Sequence, residues 1–283
     1  MNDPVVKNPW SALRAYTDAR IGLGRAGISV PTHELLNFQL AHAKARDAVH
    51  LPLHVNGLLE GFSRLPLDIR LLGEGKAEGL LQEGVSPVLL HSQAQSRDSY
   101  LQRPDLGRRL DEHSRQKLEA LQQGASYDLA IVVVDGLSSL AIEENALRFI
   151  EMLTKELAKD TQEWKLAPFC IVEQGRVAIG DEVGELLHVK SVVVLIGERP
   201  GLSSPDSLGL YMTYAPKVGL TDAYRNCISN IRKEGLSYEE AAKKTLYLLK
   251  ESRKLQLSGV AIKERAHEDE TLKMTQEKNF LLN

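Results

Sequence analysis

Apolar positions are unevenly spread along this chain. Three runs, Asp128 to Val134, Leu166 to Val172 and Ser191 to Ile196, read as strands, and the solid apolar Val192 to Ile196 reads as one buried on both faces. Between them, Leu140 to Lys159 and about Val177 to Leu187 carry helical spacing. Strand, helix, strand, helix, strand with short links predicts a parallel α/β unit. Leu208, Leu210, Met212 and Tyr214 alternate and predict one more strand, placed at a sheet edge. Thr221 to Arg232 reads as a helix, and Ser237-Tyr238-Glu239-Glu240 is a capping box for another that reaches about Leu255.

The flanks are less regular. Pro9-Trp10 opens a short helix through Arg20 that ends in Gly22-Leu23-Gly24-Arg25-Ala26-Gly27. Pro31-Thr32 starts a helix with Leu36, Leu40 and Ala43 on one face, which stops before Pro52. Leu53 to Tyr100 gives no clear period. Pro104 begins a polar helix to about Gln123, and Gly124 terminates it. The expected organisation is a mostly helical region over 1–103, a Rossmann-like α/β domain over 104–266 and a polar tail over 267–283.

The totals narrow the function classes. The 283 residues suffice for a large core, and 43% hydrophobic with 26% charged is an ordinary globular composition. A formal charge of −3 and 5% aromatics give no basic footprint and no stacking platform for nucleic acid. No apolar run approaches the ~20 residues of a membrane span, and Met1-Asn2-Asp3-Pro4 lacks a signal-peptide layout. Cys170 and Cys227 form no disulfide framework, which suits a reducing cytosol.

Parallel strands would bring three loops to one sheet edge: Asp135 to Ser139, Glu173 to Val177, and Gly197 to Asp206. In open α/β sheets, ligands bind at the carboxyl ends of the strands. Glycine in each loop lets backbone approach a ligand, although turn and cap chemistry explains the same residues taken singly. Glu198, directly after a buried strand, must find donors, from Arg199 or from a ligand amide. Cys227, within the helix read over Thr221 to Arg232, is also explained as a small buried hydrophobe.

Other motifs lack their context. Gly22 to Gly27 matches G-x-G-x-x-G but follows a helix, so a turn is expected. Gly136-Leu137-Ser138-Ser139 and Gly201-Leu202-Ser203-Ser204 lack the closing glycine of a nucleophile elbow, so serine caps are expected. His50 and His54 are spaced like zinc ligands on a helix, yet Pro52 separates them.

Leu195-Ile196-Gly197-Glu198-Arg199-Pro200-Gly201-Leu202-Ser203-Ser204-Pro205-Asp206-Ser207-Leu208-Gly209 closely resembles the signature of the small (light) subunit of ethanolamine ammonia-lyase. Ala19 to Gly27, Ala41 to His50, and Tyr214-Ala215-Pro216 through Asn230 are similar to further blocks of that family, in its order. The similarity runs from about Pro9 to Lys263. The resemblance implies a carbon–nitrogen lyase that uses adenosylcobalamin to convert ethanolamine to acetaldehyde and ammonia. It implies a large barrel subunit that carries the substrate site, a higher hetero-oligomer, cofactor held between the two subunit types, and subunit contacts made by the N-terminal region over 1–103. This chain would then bind cofactor without supplying a catalytic residue. Carried over by motif, the cofactor contacts fall on Val177, Glu198 and Cys227. The cofactor's own base would coordinate cobalt, in keeping with Asp111-Glu112-His113, which starts like D-x-H-x-x-G but reaches Gln116 instead of glycine. The N-terminal extension that sends many family members to a bacterial microcompartment is not matched here. A cytoplasmic place is therefore expected, with microcompartment association resting on the resemblance alone.

Two other readings remain at this point. One is a free-standing α/β protein that binds a nucleotide or another cofactor at the same edge without catalysis. The other is a serine hydrolase, which has no complete elbow and no well-placed histidine in its support.

Overall fold

A strand rich in Val and Ile, β4 (Tyr127–Val134), is buried along its whole length at the centre of a six-stranded sheet. The computed structural model describes residues 5–17, 19–65, 87–122, 124 and 126–262. β3 (Val88–His91), β5 (Cys170–Glu173) and β6 (Val189–Gly197) run parallel to β4, in the spatial order β3-β5-β4-β6. β7 (Leu208–Tyr214) and β8 (Arg225–Ile231) add to β6 antiparallel, so the sheet is mixed. The expected parallel unit is β4, β5 and β6, and β3, from the stretch with no clear period, adds a fourth parallel strand.

Strand alternation sorts the apolar residues into two cores. Leu129, Ile131, Val193, Leu195, Leu210 and Met212 face one side, where α5 (Ser139–Ala158) and α7 (Tyr238–Leu255) cover them. Phe149, fully buried on α5, fills the middle of that layer. Val132, Val134, Val192, Val194 and Ile196 face the other side, under α4 (Glu112–Leu121) and α6 (Ile179–Leu186). Buried Glu182 on α6 accepts from Arg109, Arg115 and the Leu110 amide, which ties this layer to the chain entering α4.

The residues before the sheet form a small antiparallel pair, β1 (Val5–Val6) with β2 (Arg25–Ala26), then α1 (Thr32–His50) and α2 (Val55–Ser63). Between them Asn8 caps a 3-10 helix over Pro9–Ala15, shorter than the helix expected through Arg20. Gly22, Gly24 and Gly27 have φ of +61°, +76° and +61°, so the G-x-G-x-x-G match is a turn that needs glycine. The unreadable stretch supplies α2, β3 and α3 (Arg97–Gln102) in its described part. The polar tail from His267 lies outside the described residues.

Three expectations are corrected. Pro104 to Gln123 is not one helix: a 3-10 turn over Leu106–Arg108 is followed by an extended Leu110, which bridges Ser92, and Asp111 then caps α4 through the Ser114 amide. Thr221 to Arg232 is not a helix but a short 3-10 turn (Asp222–Tyr224) followed by β8. The ladder between β7 and β8 shifts register beyond Leu210, and Asn230 sits at φ +59°. That bulge sets the buried Ile228 and Ile231 three apart, a spacing that imitates a helical turn. β7 is therefore not the edge; β8 is.

Candidate functional site

The carboxyl ends of β4, β5 and β6 do share one edge, and their loops meet there. The crevice between the first two loops is filled by the chain itself. The Arg97 guanidinium, 10% exposed, donates to the Gly136 carbonyl at 2.9 Å and to the Asp135 carboxylate at 3.3 Å, while its Nε reaches the Val49 carbonyl. Tyr100 donates to the Gly175 carbonyl and lies between the Arg97 and Arg176 guanidinium groups. The serines of the first loop are also consumed: Ser138 accepts from the Ala141 amide and donates to the Pro205 carbonyl, and Ser139 donates to the Leu51 carbonyl. They act as caps and braces.

Burial raises the Asp135 carboxyl to about 6, against the pull of Arg97 and of neighbouring backbone amides. A pKa raised by folding contributes stability that is complete below the unfolded value near 3.8 and is lost as pH rises through about 6. The stability of the protein relative to Asp135→Asn, measured by urea unfolding, is therefore expected to grow as pH falls from 7 to 4.5. A difference that shrinks over that range contradicts this assignment.

The open surface lies one step across the sheet. α6 covers β4 and β6, and no described helix covers the same face of β7 and β8. Gly209 and Tyr211 of β7 point to this face, because Leu208, Leu210 and Met212 point to the other. Cys227 is the register partner of Tyr211 and is exposed, as is Ser229. Arg225, fully buried beside them, pairs with Asp181 of α6 and donates to the Leu220 and Thr221 carbonyls. This pair locks the edge strand to the helix. A cleft of about 450 Å³, lined by Ala178, Gly219, Thr221 and Arg225 among others, opens beside the first turn of α6.

Glu198 stands at the upper border of this surface. Its Oε2 accepts from the Ser207 hydroxyl at 2.5 Å and from the Asn230 amide at 3.2 Å. The bulge takes the Asn230 amide out of the ladder and presents it to the carboxylate. Glycine at 209 makes room for the side chain: a Cβ there would stand 2.9 Å from Glu198 Cγ and 3.0 Å from Oε1. Oε1 thus lies over Gly209, and no described donor bonds it. Burial, with Cys227 and Glu198 nearby, pushes the Tyr211 hydroxyl pKa up, so it remains a neutral donor at neutral pH.

Val177 lies two residues before α6, half-buried against the core, with its carbonyl accepting from the Gly180 amide. Val177, Glu198 and Cys227 therefore belong to one face of the sheet, Val177 and Glu198 at its carboxyl end. Cys227 arrives there from a strand, not from a helix, and Ser207 and Asn230 take the donor role expected of Arg199. Sequence reasoning missed Tyr211, Asn230 and Arg97. Tyr211 was visible as the polar-tipped break in an alternating strand; Arg97 sits in a stretch with no period to mark it.

The chain matches, over residues 7–263, the family model described as ethanolamine ammonia-lyase light chain (EutC). It is 54% identical to the ethanolamine ammonia-lyase small subunit of Pseudomonas aeruginosa (strain LESB58) over 266 residues, 93% of this chain and 90% of that protein. It is 52% identical to the small subunit of Pseudomonas putida (strain W619) over 284 residues, 99% of this chain and 97% of that protein. The small subunit of Azotobacter vinelandii (strain DJ / ATCC BAA-1303) is 53% identical over 93% of this chain and 91% of its own length. This chain belongs to the ethanolamine ammonia-lyase light-chain family.

Proposed function

We propose that this chain is the wall of a two-subunit lyase against which adenosylcobalamin is held, while a large barrel subunit carries ethanolamine. The observation that carries the reading is the face of β7 and β8 that no described helix covers, bordered by a carboxylate with one oxygen free of described donors. The chemistry of that face fits a corrin. It is broad, its centre is a glycine and a tyrosine, and the amide side chains around a corrin ring are donors that a carboxylate accepts from. Carboxyl edges of parallel strands are where open α/β sheets bind ligands, and this face lies beside that edge.

Each residue has a definite task in this reading. Glu198, fixed by Ser207 and Asn230, accepts from corrin amides without having to reorganise. Cys227 and Tyr211 line the centre of the face, and Val177 closes the side next to α6. The Asp181–Arg225 pair holds β8 in place, and Arg97 holds the loop that leads to Val177. When bound, the cofactor supplies the radical chemistry of the deamination. No residue of this chain moves a proton in that reaction; the chain binds, orients and excludes water. No described helix is long and apolar enough to cross a membrane.

The test is reconstitution. The isolated chain is expected to form no acetaldehyde from ethanolamine, and co-expression with a cognate large subunit restores acetaldehyde formation that depends on added adenosylcobalamin. An assembled, folded complex without that activity rejects the reading. Tight binding of adenine nucleotides by the isolated chain in calorimetry would instead support a free-standing binding protein.

A further inference from the structure

The amino ends of the parallel strands, at the opposite end of the sheet from Glu198, carry a charged cleft of their own. It encloses about 800 Å³, and Lys165, Lys190, Lys250, Arg253 and Lys254 line it against two carboxylates, Asp128 and Glu163. Cations stay in excess when Asp160 and Glu251, which pair with Lys250 and Lys254 from outside the lining, are counted as well. The chain as a whole carries −3, so this excess is local. α7 ends at the cleft, and its carboxyl terminus accounts for Arg253 and Lys254 in the last turn. It does not account for Lys165 and Lys190, which enter from the sheet. Lys190 is the second residue of β6, and Lys165 precedes the bridge of Leu166 to Leu129.

The cations are held in place with donors to spare. Asp128 Oδ1 accepts from Lys190 at 2.8 Å and from Arg253 at 3.1 Å, so a single oxygen draws two cations together and balances only one of them. The Arg253 guanidinium also lies 4.8 Å over the Trp164 ring, and the Trp164 indole is fixed in turn by donating to Asp160 at 3.0 Å. An ammonium group has three donors. Lys190 gives one to Asp128 and Lys250 one to Asp160, and the Lys165 ammonium has no partner among the described residues. Phosphoryl groups satisfy such converging donors, because each brings several acceptor oxygens and a negative charge. The lining holds no apolar side chain, so a nucleoside base has nothing to pack against.

We propose that this cleft binds a compact oligophosphate anion without a base, at the end of the sheet remote from the cofactor edge. Calorimetry on the full chain at about 0.15 M salt tests it, with tripolyphosphate as the probe. Wild type is expected to bind tripolyphosphate at one site. Lys165→Gln/Lys254→Gln removes two exposed cations that brace no other element, so its melting profile should match wild type while its affinity falls at least tenfold. Lys165→Glu/Lys254→Glu reverses both charges and is expected to lose more. Lys44→Gln/Lys233→Gln, on α1 and beyond β8, makes the same change of charge elsewhere and is expected to keep the affinity. Absence of binding to wild type overturns the proposal, as does unchanged affinity in the first pair or an equal loss in the control pair. ATP binding more tightly than tripolyphosphate would mean that a base is recognised, and a hexaglutamate peptide binding more tightly would assign the cleft to an acidic protein segment. Either result also overturns it.

Discussion

Arg97→Met is expected to cost about 3–5 kcal/mol of folding stability, because it leaves the Val49 and Gly136 carbonyls without their donor and makes the buried Asp135 carboxyl take up a proton. The arginine does more than neutralise a charge. It donates to the Val49 and Gly136 carbonyls and lies within 3.4 Å of the Gln174 side-chain oxygen, so one side chain joins the end of α1 to two loops of the carboxyl edge. A surface ion pair would be worth ~0–1 kcal/mol, and the distinction is decisive here because both partners are nearly inaccessible. Asp135→Asn added to Arg97→Met is expected to recover only the part of the loss due to the charge, since a buried carboxamide needs no cation but does not restore the donors to the Val49 and Gly136 carbonyls. Urea unfolding of the two variants measures this, and a loss below about 1 kcal/mol for Arg97→Met would show that water reaches the pair.

What the sequence disclosed follows the same physics. The runs Leu129 to Val134 and Val192 to Ile196 left no choice but doubly covered strands, and the loops after them were legible as a shared edge. β8 was not legible. Its bulge puts Ile228 and Ile231 on one face at a helical interval, so the period misleads until the partner strand is known. Position on the face of the sheet for Glu198 and Cys227 depends on β7 returning antiparallel, a pairing that no local pattern encodes. Arg97 was invisible for a similar reason. Its partners lie 38 to 77 residues away, and a single basic residue in an aperiodic stretch carries no sign of them. The resemblance supplied candidate residues, and the structure shows what surrounds them: a bulge that frees an amide, a glycine that admits a carboxylate, and an edge strand pinned by a buried ion pair.

Glu198 carries the second large effect. Removing a charged acceptor from a preformed hydrogen-bonded position costs ~1.5–3 kcal/mol of binding, or roughly tenfold to a hundredfold in affinity. The fold should tolerate the change, since Glu198 is only half-buried and its two donors can turn to water. The most direct measurement is equilibrium binding of adenosylcobalamin to the assembled complex, wild type against Glu198→Ala, followed by the cofactor's visible absorbance. A cofactor wall at the β7–β8 face predicts an affinity lower by about tenfold or more, with assembly intact. Equal affinity in the two complexes would contradict it and return Glu198 to bracing the bulge at Asn230.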